Sequence, residues 1–336
     1  MSSSPAPYPL LSPDQPDDVA AYLSARGVLA ADEAVVQVAR AGEGNMNCTM
    51  RVTTTRRSLI VKQARPWVEK YPQIPAPDER ALMEAAFYQA VQPHPSVAGR
   101  MPTLLGMDDE HRVLLIDDLG AVADFTGLYA GTATDLPALS ALVDWLSALH
   151  AATFPAPVQA QLTNRAMRAL NHEHLFDFPL RAANGLDLEA ITPGLQAEAS
   201  RLQAQAAYVD AVTALGARYL TDGPTLLHGD FFPGSWVQAG EAVYIIDPEF
   251  GFFGPAEYDV GILLAHLMLA GLPDTLHAQV WQRYQPTGPF DAALVRQFAG
   301  MEVMRRLIGV AQLPVPSDLA YKQALLQRSE ELVLGA

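Results

Sequence analysis

The stretch LLHGDFFPGSW, Leu226 to Trp236, breaks a run rich in alanine and leucine with residue types that a helix does not select. Asp230 follows His228-Gly229, and Ser235 stands five residues beyond the acid. The next segment, AVYIIDPEF over residues 242–250, reads as an apolar strand ending in Asp247 and Glu249. An acid, a hydroxyl five residues later and a strand ending in carboxylates is the spacing of a phosphoryl-transfer loop with its metal-holding strand. An Asp within hydrogen-bond reach of an attacking hydroxyl can orient it and take its proton. Carboxylate oxygens are hard ligands for Mg²⁺, which neutralises charge developing on phosphates. The i, i+2 spacing places Asp247 and Glu249 on one side of a strand end, and the Ser235 hydroxyl could add a further oxygen for the metal. Taken singly, each carboxylate reads better as a turn cap or a salt bridge; their joint spacing, with a glycine-rich loop and a strand lysine before it, points to the chemistry.

Two earlier segments fit the same chemistry. In AGEGNMN, residues 41–47, Gly42 and Gly44 let the backbone turn tightly, so that amides up to Asn45 and Asn47 could cover phosphates. Alone, this is also an ordinary hairpin turn. Lys62 ends the apolar strand SLIVKQ, and a buried ammonium needs a carboxylate or an anion, although an edge lysine is the alternative. Glu84, one helix further on, is either that partner or a residue on a solvated face.

The elements that must position these residues change character along the chain. Val35–Val38, Met50–Thr54 and Ser58–Gln63 read as three antiparallel strands, followed by a helix over PDERALMEAAFYQAV and strands within Thr103–Leu119. From Leu136 onward long helices dominate, interrupted by the irregular segment around Asp230. The expected architecture is α+β and two-lobed, with a small antiparallel-sheet lobe over 17–120, a larger mainly helical lobe over 121–336, a cleft shared between them, and a frayed arm over 1–16. His172 and His174 have an i, i+2 spacing that could suggest a metal, but NHEHLFDF reads better as an ordinary polar segment.

Lys plus Arg number 22 against 37 Asp plus Glu, a formal charge of −15, which opposes nucleic acid and anionic membranes as partners. An anionic substrate would need a local reversal, which makes each well-placed Lys or Arg informative. One cysteine, Cys48, leaves no internal disulfide and no cysteine-built metal site. No run of about 18 apolar residues suggests a membrane span, and MSSSPAPYPLLSPDQPDD lacks the parts of a signal peptide. A cytoplasmic protein is the simplest expectation.

The segments GEGNMN, IVKQARPWVE, HGDFFPGS, IIDPEFGFFGPAEYDVG and EVMRRLIGVAQLP together resemble the methylthioribose kinase family, within the aminoglycoside-phosphotransferase and choline-kinase-like branch of the protein-kinase fold. The resemblance implies ATP and Mg²⁺ as cofactors and transfer of the γ-phosphate to a sugar hydroxyl, giving methylthioribose 1-phosphate in methionine salvage. Another small-molecule phosphotransferase activity is the alternative, and a nucleotide-binding pseudokinase is the non-catalytic one. It implies Asp230 as catalytic base, Asp247 and Glu249 as metal ligands, Lys62 paired with Glu84 on the phosphates, and residues 42–47 over ATP. It also implies an adenine-binding hinge at Ile116, Asp117 and Leu119, with His228 and Asp259 structural, Asp259 bracing the loop or capping the following helix. Arg305 and Arg306 match the family's substrate-end arginine pair. Adjacent helix positions point about 100° apart, so only one of them is expected to reach the centre. Phe232 and Pro233 stand where the family has His and Thr, so substrate contacts made there are replaced. The resemblance leaves room for a homodimer.

Overall fold

The segment Cys48–Thr54 alternates buried and partly exposed side chains residue by residue, the period of a sheet covered on one face. In the computed structural model, which describes residues 6, 8–42, 46–316 and 318–335, this segment is β2. It joins β1 (Val35–Arg40), β3 (Ser58–Gln63), β4 (Leu104–Asp108) and β5 (Val113–Asp117) in a sheet of order β1-β2-β3-β5-β4. Every neighbouring pair is antiparallel. By contacts the chain divides into two compact units, residues 1–122 with 247–250, and residues 123–246 with 251–336.

The first unit is built on that sheet. Met50, Val52, Leu59 and Val61 pack with Val19 and Leu23 of α1 (Pro16–Ala25) in one buried cluster. Because strand residues alternate in direction, Lys62 points to the face opposite Leu59 and Val61, where Glu84 of α2 (Arg80–Val91) meets it. A short hairpin, Trp67–Val68 with Tyr71–Pro75, was not legible as strands, since Pro66, Pro72 and Pro75 break the alternation. The frayed arm also needs correction from Tyr8 onward. The Tyr8 hydroxyl donates to the Ala64 carbonyl and to Asp78, both at 2.9 Å, and the Leu11 amide donates to the Gln63 side chain at 2.8 Å. Two apolar anchors, Tyr8 and Leu11, are both buried, and they outweigh the loose composition around them.

The second unit is mainly helical: α3 (Leu139–Ala151), α4 (Ala206–Leu220), α5 (Glu257–Leu269), α6 (Ala292–Ile308) and α7 (Leu319–Leu334) are its longer helices. α5 and the C-terminal part of α6 are buried on every face, the mark of a core helix. Two short antiparallel ladders frame the loop carrying Asp230: β6 (Thr225–Leu227) pairs with β9 (Phe252–Gly254), and β7 (Trp236–Ala239) lies between β8 (Ala242–Ile245) and Ala123–Asp124. The α+β expectation, small sheet and larger helical part, is met. No helix among the described residues is long and apolar enough to cross a membrane.

The approach of α5 to α6 depends on a missing side chain. A Cβ at Gly261 would lie 2.8 Å from both the Phe298 Cβ and the Val295 carbonyl oxygen. Neither atom is the far end of a flexible side chain, so the helices would have to part. Gly261→Ala should therefore lower stability by about 1–3 kcal/mol despite its better helix propensity. Urea denaturation checks this, and an unchanged or raised midpoint would mean that the crossing is compliant.

Candidate active site

The loop after β6 turns at Gly229, whose φ of 84° lies in the left-handed region that glycine enters without a Cβ clash. The amides of His228 and Gly229 donate to the two oxygens of Asp259, at 2.7 and 3.0 Å. Asp259 sits in the first turn of α5, so of its two expected duties the structure displays the loop brace. His228 accepts the Asp230 amide at Nδ1 (3.3 Å), which places its proton on Nε2, 3.0 Å from the Ile246 carbonyl oxygen. The buried Ser235 hydroxyl donates to the Asp230 carbonyl oxygen at 3.0 Å. The hydroxyl expected to serve a metal thus spends its proton closing the loop.

Asp230 is held at the end of a chain of charge. Its Oδ1 lies 3.4 Å from Arg306 Nη2 and 3.6 Å from Arg305 Nη2. Both arginines are buried, which overturns the expectation that only one reaches the centre. Angular separation does not exile either, because α6 is enclosed and one turn earlier Glu302 accepts from both: Arg305 Nε at 2.6 Å on Oε2, Arg306 Nε at 2.8 Å on Oε1. Burial opposes charge on Glu302, yet the two guanidinium groups and a bond from His266 hold its carboxyl well below the usual carboxylate range. Burial pushes the Asp230 carboxyl up, and Arg306 and Arg305 oppose the rise. Phe232 lies under Arg306, whose guanidinium carbon is 4.8 Å from the ring centre, a cation–π contact. Gly234 leaves the room that this ring occupies.

The first unit gathers a second set. The Lys62 ammonium is 2.7 Å from Glu84 and 2.8 Å from Asp247. Burial disfavours it, but the charges of Asp247, Glu84 and Glu249 win and hold its pKa well above the ordinary lysine value. Burial pushes Glu84 up to about 7 against the pull of Lys62. The i, i+2 pair does not share a strand face, as the sequence suggested. β8 ends at Ile245, Asp247 has φ 60°, and Pro248–Phe250 forms a 3₁₀ turn. Asp247 therefore stays about half exposed beside Lys62, while Glu249 is buried and accepts from Asn47 Nδ2 at 2.8 Å, with Arg80 Nε at 3.5 Å. Arg80 also donates to the side chain of Asn47 (2.8 Å) and the carbonyl of Met46 (2.8 Å), pinning the end of the glycine-rich segment.

Of that segment, Gly42 has a left-handed φ of 70°, and Gly44 and Asn45 lie outside the described residues. Ile116 is buried in β5 between Ile60 and Leu104, the Asp117 amide donates to Thr103 at 2.8 Å, and Leu119 follows the strand end. His172 packs tilted against Phe176 and His174 against Phe178, and no cluster of metal-ligating side chains forms among the described residues. Sequence reasoning missed Glu302, His266, Tyr129 and Arg80. The Glu-x-x-Arg-Arg spacing was the available signal for Glu302, since i, i+3 and i, i+4 are helix neighbours.

Residues 37–298 match the phosphotransferase enzyme family. The chain belongs to that family. It is accordingly an ATP-dependent phosphotransferase, and its sequence relatives are narrower in kind. It is 28% identical to a methylthioribose kinase of Exiguobacterium sibiricum, over 88% of this chain and 85% of the relative. It is 30% identical to a methylthioribose kinase of Cronobacter sakazakii, over 77% of this chain and 67% of the relative. Among solved structures, the choline kinase LicA from Streptococcus pneumoniae superposes with a TM-score of 0.55 at 13% identity, covering 95% of this chain and 99% of that one. A spectinomycin phosphotransferase in complex with ADP and spectinomycin gives 0.54 at 14% identity, covering 97% and 91%. At such identities the structures establish the fold, which is the protein-kinase-like one.

The Glu84 shift has a pH consequence. Its folded-state value, about 7, lies above the ordinary 4.5, so folding takes up a proton between these limits. The stability this group contributes is complete below about 4.5 and is lost as pH rises through about 7. Thermal melts should show the stability of the parent relative to Glu84→Gln declining across that window. Parallel pH curves for the two proteins would refute the assignment.

Proposed function

We propose that the chain transfers the γ-phosphate of ATP to the anomeric hydroxyl of methylthioribose, giving the 1-phosphate and ADP. The observation that carries this reading is Asp230, presented by a braced loop and flanked by two buried arginines rooted on one carboxylate. The kinds of relatives the sequence matches supply the choice of acceptor.

Asp230 orients the acceptor hydroxyl and takes its proton as the new O–P bond forms and the bond to the β-phosphate oxygen breaks, releasing ADP. Arg305 and Arg306 serve the acceptor end, where their Nη groups are the parts not committed to Glu302. Phe232 offers an aromatic face beside the acid, a surface suited to a neutral sugar carrying a thioether. Lys62, kept charged chiefly by Asp247 and held by Glu84, serves the ATP phosphates, with Gly42 and Asn47 near them and Ile116, Asp117 and Leu119 at the adenine. Mg²⁺ requires few protein oxygens when phosphates and water complete its shell, so one half-exposed carboxylate suits it. Asp247 meets that description, and Glu249 would join it by yielding part of its hold on Asn47 and Arg80. When bound, the metal supplies charge neutralisation at the phosphates. Cytoplasmic location and a neutral small-molecule partner accord with the acid surface.

ADP release should be measured with methylthioribose, other pentoses, amino alcohols and aminoglycosides as acceptors. Methylthioribose is expected to give the highest kcat/KM; turnover of another class alone would sink this acceptor. Asp230→Asn should lower kcat by about 10²–10⁴-fold, and a variant as fast as the parent would remove Asp230 from the chemistry. Arg306→Ala should raise acceptor KM or lower kcat and leave ATP affinity near the parent value. Loss of ATP binding instead would move this residue out of the acceptor site.

A further inference from the structure

Behind the two arginines lies a chain of buried polar groups that the phosphoryl-transfer motifs do not include. Tyr129, His266 and Glu302 are each at most 1% exposed. The Tyr129 hydroxyl is 2.6 Å from His266 Nδ1, and His266 Nε2 is 3.0 Å from Glu302 Oε1. Burial pushes His266 down to about 4 despite Glu302 beside it, so the ring is neutral and carries one proton. Glu302 can only accept, which places that proton on Nε2 and makes Nδ1 the acceptor for the tyrosine hydroxyl. The direction of the chain is therefore fixed: Tyr129 donates to His266, and His266 donates to Glu302.

The far end of the chain bears on the reacting groups. Glu302 Oε1 receives both His266 Nε2 and Arg306 Nε, while Oε2 receives Arg305 Nε. Tying each guanidinium at its Nε fixes its plane and leaves the terminal nitrogens as the presented face. Both faces then converge on one oxygen of Asp230. A Glu side chain has three rotatable bonds, so two arginine contacts alone would let the carboxylate swing and carry both guanidinium groups with it. The third bond, from His266, stops that rotation, and Tyr129 fixes the His266 ring in turn. The His266 ring also packs on Phe232, centroids 5.5 Å apart, so a tilt of the imidazole would disturb the ring beneath Arg306.

We propose that Tyr129 and His266 are positioning residues for the acceptor site, acting through Glu302 to set the angle at which Arg305 and Arg306 are presented. The proposal rests on the reading of the two arginines as acceptor-binding groups. It separates from a purely structural role because each residue should alter the acceptor's kinetics and leave those of ATP alone.

The test uses the full chain with Tyr129→Phe, His266→Gln, His266→Leu and Glu302→Asp, with methylthioribose as the acceptor probe. Tyr129→Phe removes one hydroxyl and should raise the acceptor KM about three- to tenfold, with the ATP KM within about twofold of the parent. His266→Gln keeps a donor for Glu302 and should retain more activity than His266→Leu. Glu302→Asp keeps the charge but withdraws it by one methylene, and should raise the acceptor KM more than Tyr129→Phe does. A second readout needs no acceptor: solvent exchange of the Arg305 and Arg306 Nε–H protons, followed by NMR, should be slow in the parent and about three- to tenfold faster in Tyr129→Phe. Unchanged acceptor KM and unchanged exchange in Tyr129→Phe and Glu302→Asp would overturn the proposal, even if melting temperatures fell. If the parent fails to phosphorylate methylthioribose, the functional reading falls, and the exchange rates alone decide whether the chain orients the arginines.

Discussion

Two arginines cannot stand side by side in the buried last turn of a helix unless a carboxylate divides itself between them. An unpaired buried charge costs several kcal/mol, and removing one partner of a buried ion pair costs about 3–5 kcal/mol. Glu302, one turn earlier in α6, meets this constraint with one oxygen for each Nε. Much else in the second unit follows. α5 must approach α6 closely enough for His266 to reach Glu302, which makes Gly261 a glycine. The same α5 carries Asp259, whose carboxylate receives two loop amides and so presents Asp230. A single helix pair thus supplies both the arginines and the brace behind the acid.

The first unit solves a related problem with a different balance. Glu84, Asp247 and Glu249 crowd around Lys62 and Arg80, leaving carboxylates in excess. That excess is why the Lys62 ammonium stays charged in spite of burial, and it adds to the burial that pushes Glu84 towards neutrality. A set of this sign favours a cation, while the lysine within it favours an anion. The nucleotide and metal of the proposed function together bring both.

Sequence and structure agree best where chemistry and period coincide. The five strands of the main sheet in the first unit were legible because short β-branched and apolar runs, such as Met50–Thr54 and Ser58–Gln63, are bounded by Gly, Asn and Arg breaks. Asp230 stood out because a His, a Gly and two Phe interrupt a helical composition. Residues whose meaning depends on distant partners were not legible. Glu302 looks like any helical acid until His266, thirty-six positions earlier, lies against it. Asp247 and Glu249 were misjudged because the strand was extended past its end at Ile245 to include both acids, and a 3₁₀ turn sends their side chains to different partners. The arginine pair was misjudged because helix geometry was applied as if one face must be wet, whereas α6 has no wet face over that stretch.

The acid surface gives these local arrangements their significance. A formal charge of −15 repels ATP at long range, so capture of the nucleotide depends on groups whose field survives at short distance. Buried, pre-paired cations meet that need, because low dielectric strengthens their field and fixed partners spare the ordering cost. A neutral acceptor feels no such field and must be held by shape and by hydrogen bonds whose angles are set in advance. On the proposed reading of the acceptor site, the rigidity of Arg305 and Arg306 then matters more than their charge. That is the property which Glu302 and the groups behind it are placed to provide.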